Sequence, residues 1–115
     1  MRDQDWRPES LTAQGLGWVD QATQAINPPI HMSSTFLRTP GYAPERAYIR
    51  DQNPAFEQAE ALLAKLEGGA AAAISASGMA AATSVFMALR PGDHVLAPRM
   101  MYWSLRNWLV TYAQD

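Results

Sequence analysis

The pattern of apolar and polar positions divides the chain near residue 52. Residues 1–52 carry five prolines and three glycines, at a spacing that no helical stripe survives. We predict an extended N-terminal arm with at most a short helical turn, whose first ~20 residues need not be ordered. Apolar side chains between residues 30 and 37 suggest that the middle of the arm docks on another surface.

From residue 53 the apolar positions recur with helical spacing. Asn53 is a good N-cap, and Pro54 suits the first helical position because the amide hydrogen it lacks would be unpaired there. Gly68 and Gly69 are expected to end this helix. A second helix is predicted to begin at Ser77. A third carries apolar residues at i, i+3, i+4 and i+7, namely Leu105, Trp108, Leu109 and Tyr112.

Two short apolar segments between these helices, residues 70–75 and 94–97, predict buried strands. The resulting order, helix–strand–helix–strand–helix, indicates an α/β layer with parallel strands. Because two strands do not form a stable parallel sheet, we expect this chain to be the beginning of a larger protein. Residues 53–115 would then be the start of its large α/β domain.

Composition and charge exclude several classes of function. The chain has 115 residues, a net charge of −2 and no cysteine, which excludes disulfides, a thiol nucleophile and a Cys-ligated metal site. A single lysine and the weak negative charge argue against a nucleic-acid surface. No apolar run approaches the ~20 residues needed to span a bilayer. The N-terminus does not resemble a signal peptide, so we expect a cytoplasmic protein without a membrane partner.

The junction at Ser77-Gly78-Met79 is the most informative candidate site. It follows a predicted parallel strand and opens a helix, which is where α/β proteins bind phosphate groups on unpaired backbone N–H groups. An ordinary serine-capped helix start is the alternative that the residues alone leave open.

Three other side chains are candidates for a cofactor site. Arg50 offers a forked donor suited to phosphate, and the hydroxyl of Tyr48 can add a hydrogen bond. Tyr102 follows the second predicted strand, so it can face the same crevice, stack on a flat ring and exchange a proton. The alternatives are a surface arginine in a loop and a half-buried aromatic residue at Tyr102. His31 and His94 lack a partner at metal-binding spacing.

Taken in order, these features resemble the trans-sulfuration group of pyridoxal-phosphate-dependent enzymes. That group includes cystathionine γ-synthase, cystathionine β- and γ-lyases, methionine γ-lyase and homoserine-ester sulfhydrylases. The segments that carry the resemblance are Asn27-Pro28-Pro29-Ile30, Ser33-Ser34-Thr35-Phe36, Tyr48-Ile49-Arg50-Asp51-Gln52-Asn53-Pro54, Leu66-Glu67-Gly68-Gly69, Ser77-Gly78-Met79-Ala80-Ala81, Pro91-Gly92-Asp93-His94-Val95 and Tyr102.

The resemblance implies an aspartate-aminotransferase-type (fold type I) α/β architecture, a pyridoxal 5′-phosphate cofactor and a homo-oligomer built as a dimer of dimers. It places Ser77, Gly78 and Met79 at the cofactor phosphate. It assigns Tyr48 and Arg50 to the phosphate of the neighbouring subunit's cofactor, and Tyr102 to the pyridine ring with a part in proton transfer. The implied reaction is β- or γ-elimination or γ-replacement on a small amino-acid substrate.

Two departures from the family pattern concern the substrate. Trp103-Ser104-Leu105 stands where Gly-Gly-Thr is common, and Ala55 stands where threonine is usual.

The resemblance also implies that the lysine that binds the cofactor lies beyond residue 115, so we expect this chain alone to be inactive. A non-catalytic module for phosphate binding or oligomer assembly is the rival interpretation. A soluble monomer of 115 residues would favour the module, and aggregation would favour a truncated enzyme.

Overall fold

The computed structural model describes residues 6–38 and 46–112, and four α-helices are the regular elements of these residues. They are α1 (Pro8–Ala13), α2 (Pro54–Leu66), α3 (Gly78–Met87) and α4 (Trp103–Thr111), with a short 3-10 turn at Gly15–Gly17. The chain divides into two compact units at the boundary between Ala73 and Ile74. Helices α1 and α2 belong to the first unit, and α3 and α4 to the second.

The first unit contains more helix than the predicted single turn. Pro8 occupies the first turn of α1, where its missing N–H has no consequence, and no further helix breaker follows before Gly15. Leu11 on α1 is 7 % exposed and is the buried hydrophobic residue of the described part of the chain. Helix α1 and the 3-10 turn both contact α2, so these three pieces pack around that leucine.

Both ends of α2 lie where the sequence predicts them. The side chain of Asn53 accepts a hydrogen bond from the amide of Ala55 at 2.8 Å, which confirms it as the N-cap. At the other end Gly68 has a φ of +66°, the left-handed conformation that glycine adopts without strain. The amide of Gly69 then donates to the carbonyl of Ala64 at 2.8 Å, which satisfies a carbonyl of the last turn.

The middle of the arm pairs through its backbone with the last residues of the same arm. Thr35 and Tyr48 form an antiparallel bridge, within which the amide of Ile49 donates to the carbonyl of Ser34 at 3.0 Å. The apolar side chains that suggested docking are largely exposed: Ile30 82 %, Met32 86 % and Leu37 92 %. The bridge joins two parts of residues 1–52, so docking of the arm on another surface stays a prediction.

The second unit consists of α3, α4 and the loop that joins them. Ser77 caps α3, since its hydroxyl oxygen accepts from the amide of Ala80 at 3.1 Å. The rings of Phe86 and Trp108 meet at a centroid distance of 6.1 Å and bring the two helices together. The predicted turn before residue 94 is confirmed, because the Asp93 amide donates to the carbonyl of Arg90 at 3.0 Å.

The two predicted strands are not found. Within residues 6–38 and 46–112 the only β-type pairing is the isolated Thr35–Tyr48 bridge, and neither 70–75 nor 94–97 joins a ladder. A strand exists only through hydrogen bonds to a neighbouring strand, and segment 70–75 crosses the boundary between the two units. The structure thus confirms the helices of the predicted order, and the parallel sheet remains a prediction. None of the helices in the described ranges is both long and apolar enough to cross a membrane.

Candidate functional site

The start of α3 presents the unpaired amides of a helix N-terminus. The amide of Ala80 is bonded to the Ser77 side chain, and that of Ala81 donates to the Ser77 carbonyl at 3.0 Å. The amides of Gly78 and Met79 occupy the first two helical positions, which have no acceptor within an α-helix. They therefore combine free donors with the positive end of the helix dipole.

The surroundings of Gly78 are open. A Cβ atom built on Gly78 would have no heavy atom within 4 Å apart from its immediate chain neighbours and the helix backbone. An anion can therefore approach this backbone without displacing other groups. The hydroxyl of Ser77 accepts from Ala80 through its oxygen, which leaves its own hydrogen available as a third donor.

Tyr48 and Arg50 are brought together in the first unit. The guanidinium carbon of Arg50 lies 4.9 Å from the centroid of the Tyr48 ring, a cation–π arrangement. The amides of Asp51 and Gln52 both donate to the carbonyl of Tyr48 at 3.0 Å, so the pair lies on a hydrogen-bonded turn. The planar guanidinium carries several N–H groups that can donate hydrogen bonds to an anion.

Tyr102 is placed at the entry to α4. It is the residue that precedes the first helical position, and its side chain is 68 % exposed. It does not form a half-buried core contact of the kind that its aromatic character allowed. An exposed ring and hydroxyl at this position are compatible with stacking on a flat ligand.

The predicted site residues are divided between the two units. Tyr48 and Arg50 lie before the boundary at Ala73, whereas Ser77, Gly78, Met79 and Tyr102 lie after it. Each unit thus carries its own group of candidate phosphate donors, one built on a turn and one on a helix start.

An ion pair that the sequence did not predict lies beside the Tyr48–Arg50 turn. Nε of Arg46 donates to both carboxylate oxygens of Glu57 at 2.9 and 3.0 Å, and Nη2 donates to Oε2 at 2.5 Å. The two side chains are 35 % and 31 % exposed. The hydrogen bonds from Arg46 hold the pKa of Glu57 below its usual value of 4.5, so the pair is intact at neutral pH.

Asn53 connects this region to the arm. Its side chain is 1 % exposed, and its Nδ2 donates to the carbonyl of His31 at 3.3 Å while its oxygen caps α2. The imidazole of His31 lines a cavity of about 370 Å³, whose walls also include Arg46 and Glu57. The sequence identified the cap, but its second contact, with residue 31, depends on folding.

Metal binding receives no support from the described part of the chain, where no group of three or more His, Cys, Asp or Glu side chains is arranged to hold an ion. The contact beside the candidate site that sequence reasoning missed is the ion pair of Arg46 and Glu57. Glu57 was noted only as favourable for the helix dipole. The available signal was a pair of opposite charges flanking the Asn53 cap.

Comparison with known proteins shows the family to which the chain is related. Residues 10–114 match the family model described as Cys/Met metabolism PLP-dependent enzyme. A cystathionine γ-synthase of Mycobacterium tuberculosis is 45 % identical over 86 residues, which cover 72 % of this chain and 22 % of that protein. The cystathionine γ-synthase of Escherichia coli is 42 % identical over 88 residues, with the same coverage.

A third relative, a cystathionine γ-lyase of Bacillus subtilis, is 38 % identical over 97 residues, or 84 % of this chain and 26 % of that protein. The chain thus spans only about a quarter of the length of these relatives. No solved structure matches it. Because the family model covers nearly all of the chain, this protein belongs to the Cys/Met metabolism family of PLP-dependent enzymes.

Proposed function

We propose that the protein containing this chain uses pyridoxal 5′-phosphate to catalyse β- or γ-elimination or γ-replacement on a sulfur amino acid or a homoserine ester. A reaction like that of cystathionine γ-synthase is our specific proposal, since several similar relatives bear that name. The observation that carries the proposal is the helix start at Ser77-Gly78-Met79, with two amides free and open space above Gly78.

The donors at this helix start fit the phosphate group of the cofactor. A phosphate dianion accepts hydrogen bonds on three oxygens, and Gly78, Met79 and the Ser77 hydroxyl offer three donors close together in the chain. The helix dipole adds a favourable potential for the negative charge. Arg50, with Tyr48 against its guanidinium, would supply the positive charge that these neutral donors lack. In our proposal this pair serves the cofactor of a neighbouring subunit.

Tyr102 would contribute to the ring and to proton movement. Its exposed aromatic face is suited to stacking on the pyridine ring, which orients the cofactor, and its hydroxyl can give or take a proton. When bound, pyridoxal phosphate supplies the electron-accepting ring that allows a proton to leave the substrate α-carbon. The role of this chain is therefore to hold the phosphate, orient the ring and place one acid–base group.

The architecture that goes with this proposal is that of fold type I enzymes, with segments 70–75 and 94–97 as parallel strands of a sheet. We also propose a cytoplasmic homo-oligomer built as a dimer of dimers. In such an oligomer the arm and the Tyr48–Arg50 turn would have a subunit partner.

The experiment that tests this function begins with the gene. Sequencing beyond codon 115 determines whether the reading frame continues to a lysine that could bind the cofactor. The expressed protein is then assayed with cystathionine and methionine for elimination, and with homoserine esters in the presence of cysteine, the incoming thiol that γ-replacement requires. Phosphate binding without turnover, or a stop codon after Asp115, would instead favour the non-catalytic module.

Arg50 has a specific test in the full-length protein. Arg50→Ala should weaken the affinity for pyridoxal 5′-phosphate about 10- to 100-fold, because a charge-assisted contact is lost. Affinity for pyridoxal, which has no phosphate, should stay the same. Spectroscopic titration with both compounds measures the two values, and an unchanged affinity for the phosphate form would exclude this role.

Tyr102 is tested through its hydroxyl alone. Tyr102→Phe retains the ring, so the cofactor should bind as in the parent protein while kcat falls about 100-fold or more, as for loss of a general acid–base group. Steady-state kinetics at several pH values provides the measurement. Equal kcat values in both proteins would leave Tyr102 with stacking only.

A further inference from the structure

We infer that Glu57 is a positioning residue for the cofactor phosphate, acting through Arg46 to hold the Tyr48–Arg50 turn in its binding conformation. This inference rests on the proposed function of that turn. Glu57 itself lies on α2 and would touch neither cofactor nor substrate. It would act by fixing the chain on which Tyr48 and Arg50 are mounted.

Residues 46–53 form a short loop whose two ends are both held at the start of α2. The loop begins at Arg46, which the ion pair holds, continues through the Tyr48–Arg50 turn and ends at Asn53, the N-cap of α2. Glu57 lies four residues after Asn53, which is one helical turn, so both ends of the loop are attached to the same turn of α2. Closing a loop in this way removes conformations that the turn would otherwise sample.

The other contacts of residues 46–53 show what the ion pair adds to the loop. After the turn, Asn53 is fixed by its burial and by its contact with the carbonyl of His31. Before the turn, the backbone bond from the amide of Phe36 to the carbonyl of Ala47 is long, at 3.3 Å. On the same side the amide of Ile49 donates to the carbonyl of Ser34 at 3.0 Å, which ties the turn to the arm. The three Arg46–Glu57 hydrogen bonds tie it instead to α2, and their forked geometry fixes direction as well as distance.

Charge and burial favour this role over a generic surface ion pair. Each partner is about one-third exposed, and both line the same cavity. Both groups are ionised at neutral pH, since the pKa of Glu57 is lowered by the hydrogen bonds from Arg46. With its charge balanced by Glu57, Arg46 does not compete with Arg50 for an anion.

The experiment measures cofactor affinity in the full-length protein for Glu57→Gln, with Glu67→Gln as the matched control. Both variants remove one negative charge from α2 or its C-cap, but Glu67 lies at the opposite end of the helix. Apoprotein is titrated with pyridoxal 5′-phosphate and with pyridoxal. Glu57→Gln should raise the Kd for the phosphate form about two- to fivefold, the range expected for a partly exposed ion pair, and leave the Kd for pyridoxal unchanged.

Two further variants protect the test against simple unfolding. Arg46→Lys keeps the charge but loses the forked contact, so its affinity should fall between those of the parent and Glu57→Gln. The single variants Arg46→Glu and Glu57→Arg should each lose affinity for the phosphate form, and the double variant that carries both should regain much of it. Equal loss of affinity for both titrants would indicate general damage to the fold and overturn the inference.

Arg50→Ala separates this inference from the proposed function. If Arg50→Ala weakens binding of the phosphate form while Glu57→Gln behaves like Glu67→Gln, the turn binds phosphate without help from Glu57, and the inference is wrong. If Arg50→Ala has no effect on binding, the proposed role of the turn fails first, and the inference fails with it.

Discussion

Asn53 shows how one side chain can serve two neighbouring pieces of structure. Its oxygen caps α2 and its Nδ2 bonds the His31 carbonyl, in a position that is 1 % exposed. Asn53→Ala should destabilise the first turn of α2 by about 2–3 kcal/mol, because a cap is lost and a carbonyl is left unpaired. Amide hydrogen exchange in the first turn of α2 gives the change in opening free energy.

Ser77 provides the comparison for that prediction. It caps α3 with a similar bond, but it is exposed, so Ser77→Ala should cost only about 1 kcal/mol. Asn53→Ser keeps a capping oxygen and removes the Nδ2 donor without burying a charge, so its cost should lie between those of the two alanine variants. If Asn53→Ala cost no more than Ser77→Ala, the contact with His31 would have no energetic importance.

At the scale of single residues, the sequence predicts contacts that are local in the chain. Both caps bond amides two or three residues away, so the residue types alone reveal them. The pair formed by Arg46 and Glu57 spans eleven residues, and the contact of Asn53 with His31 spans twenty-two. Such contacts depend on the path of the intervening chain, which no local pattern encodes.

At the scale of elements, Gly68 lies at the end of α2 and Gly78 at the start of α3. Substitution by alanine should change the stability of these two helices in opposite directions. Gly68 has a φ of +66°, so Gly68→Ala should destabilise the end of α2 by about 1–2 kcal/mol through strain. Gly78 opens α3 without a positive φ, so Gly78→Ala should be neutral or stabilise by up to about 1 kcal/mol.

The effect on cofactor binding should be the reverse, with the loss of affinity in Gly78→Ala and not in Gly68→Ala. A Cβ at Gly78 would occupy the space above the free amides and weaken binding of pyridoxal 5′-phosphate by about tenfold or more, as for one charge-assisted hydrogen bond. Gly68→Ala should leave that affinity unchanged. Thermal unfolding and cofactor titration test both effects. Full cofactor affinity in Gly78→Ala would remove α3 from the proposed phosphate site.

The helices that follow residue 53 were predictable and the strands were not, for one physical reason. A helix forms its hydrogen bonds within a single segment, so Asn53, Gly68 and Ser77 mark its limits in the sequence. A strand takes its hydrogen bonds from elsewhere, and 70–75 and 94–97 join no ladder in the described residues. The resemblance, not the local pattern, is what supports a parallel sheet in the complete enzyme.

At the scale of the whole molecule, the division of the site residues between two units has a functional consequence. Tyr48 and Arg50 belong to the first unit, and the α3 donors with Tyr102 belong to the second. The short segments Tyr48–Arg50 and Ser77–Met79 predicted most of these residues, and Tyr102 was predicted separately from its place after the second apolar segment. In the proposed oligomer, the first unit of one subunit completes the site formed by the second unit of its neighbour.

Mixing two impaired variants tests this shared site, at a cofactor concentration that leaves each variant alone with little activity. A hybrid dimer of Arg50→Ala and Tyr102→Ala subunits would contain one site with both defects and one site with neither, because Arg50 and Tyr102 of each site come from different chains. With random pairing, about half of the dimers are hybrids, and each hybrid has one intact site out of two. About one quarter of all sites are then intact, so coexpression should restore about one quarter of the parent activity. If both residues of a site came from one chain, every site in the hybrid would carry one defect and activity would stay at the level of the separate variants. Coexpression of each variant with itself supplies that baseline.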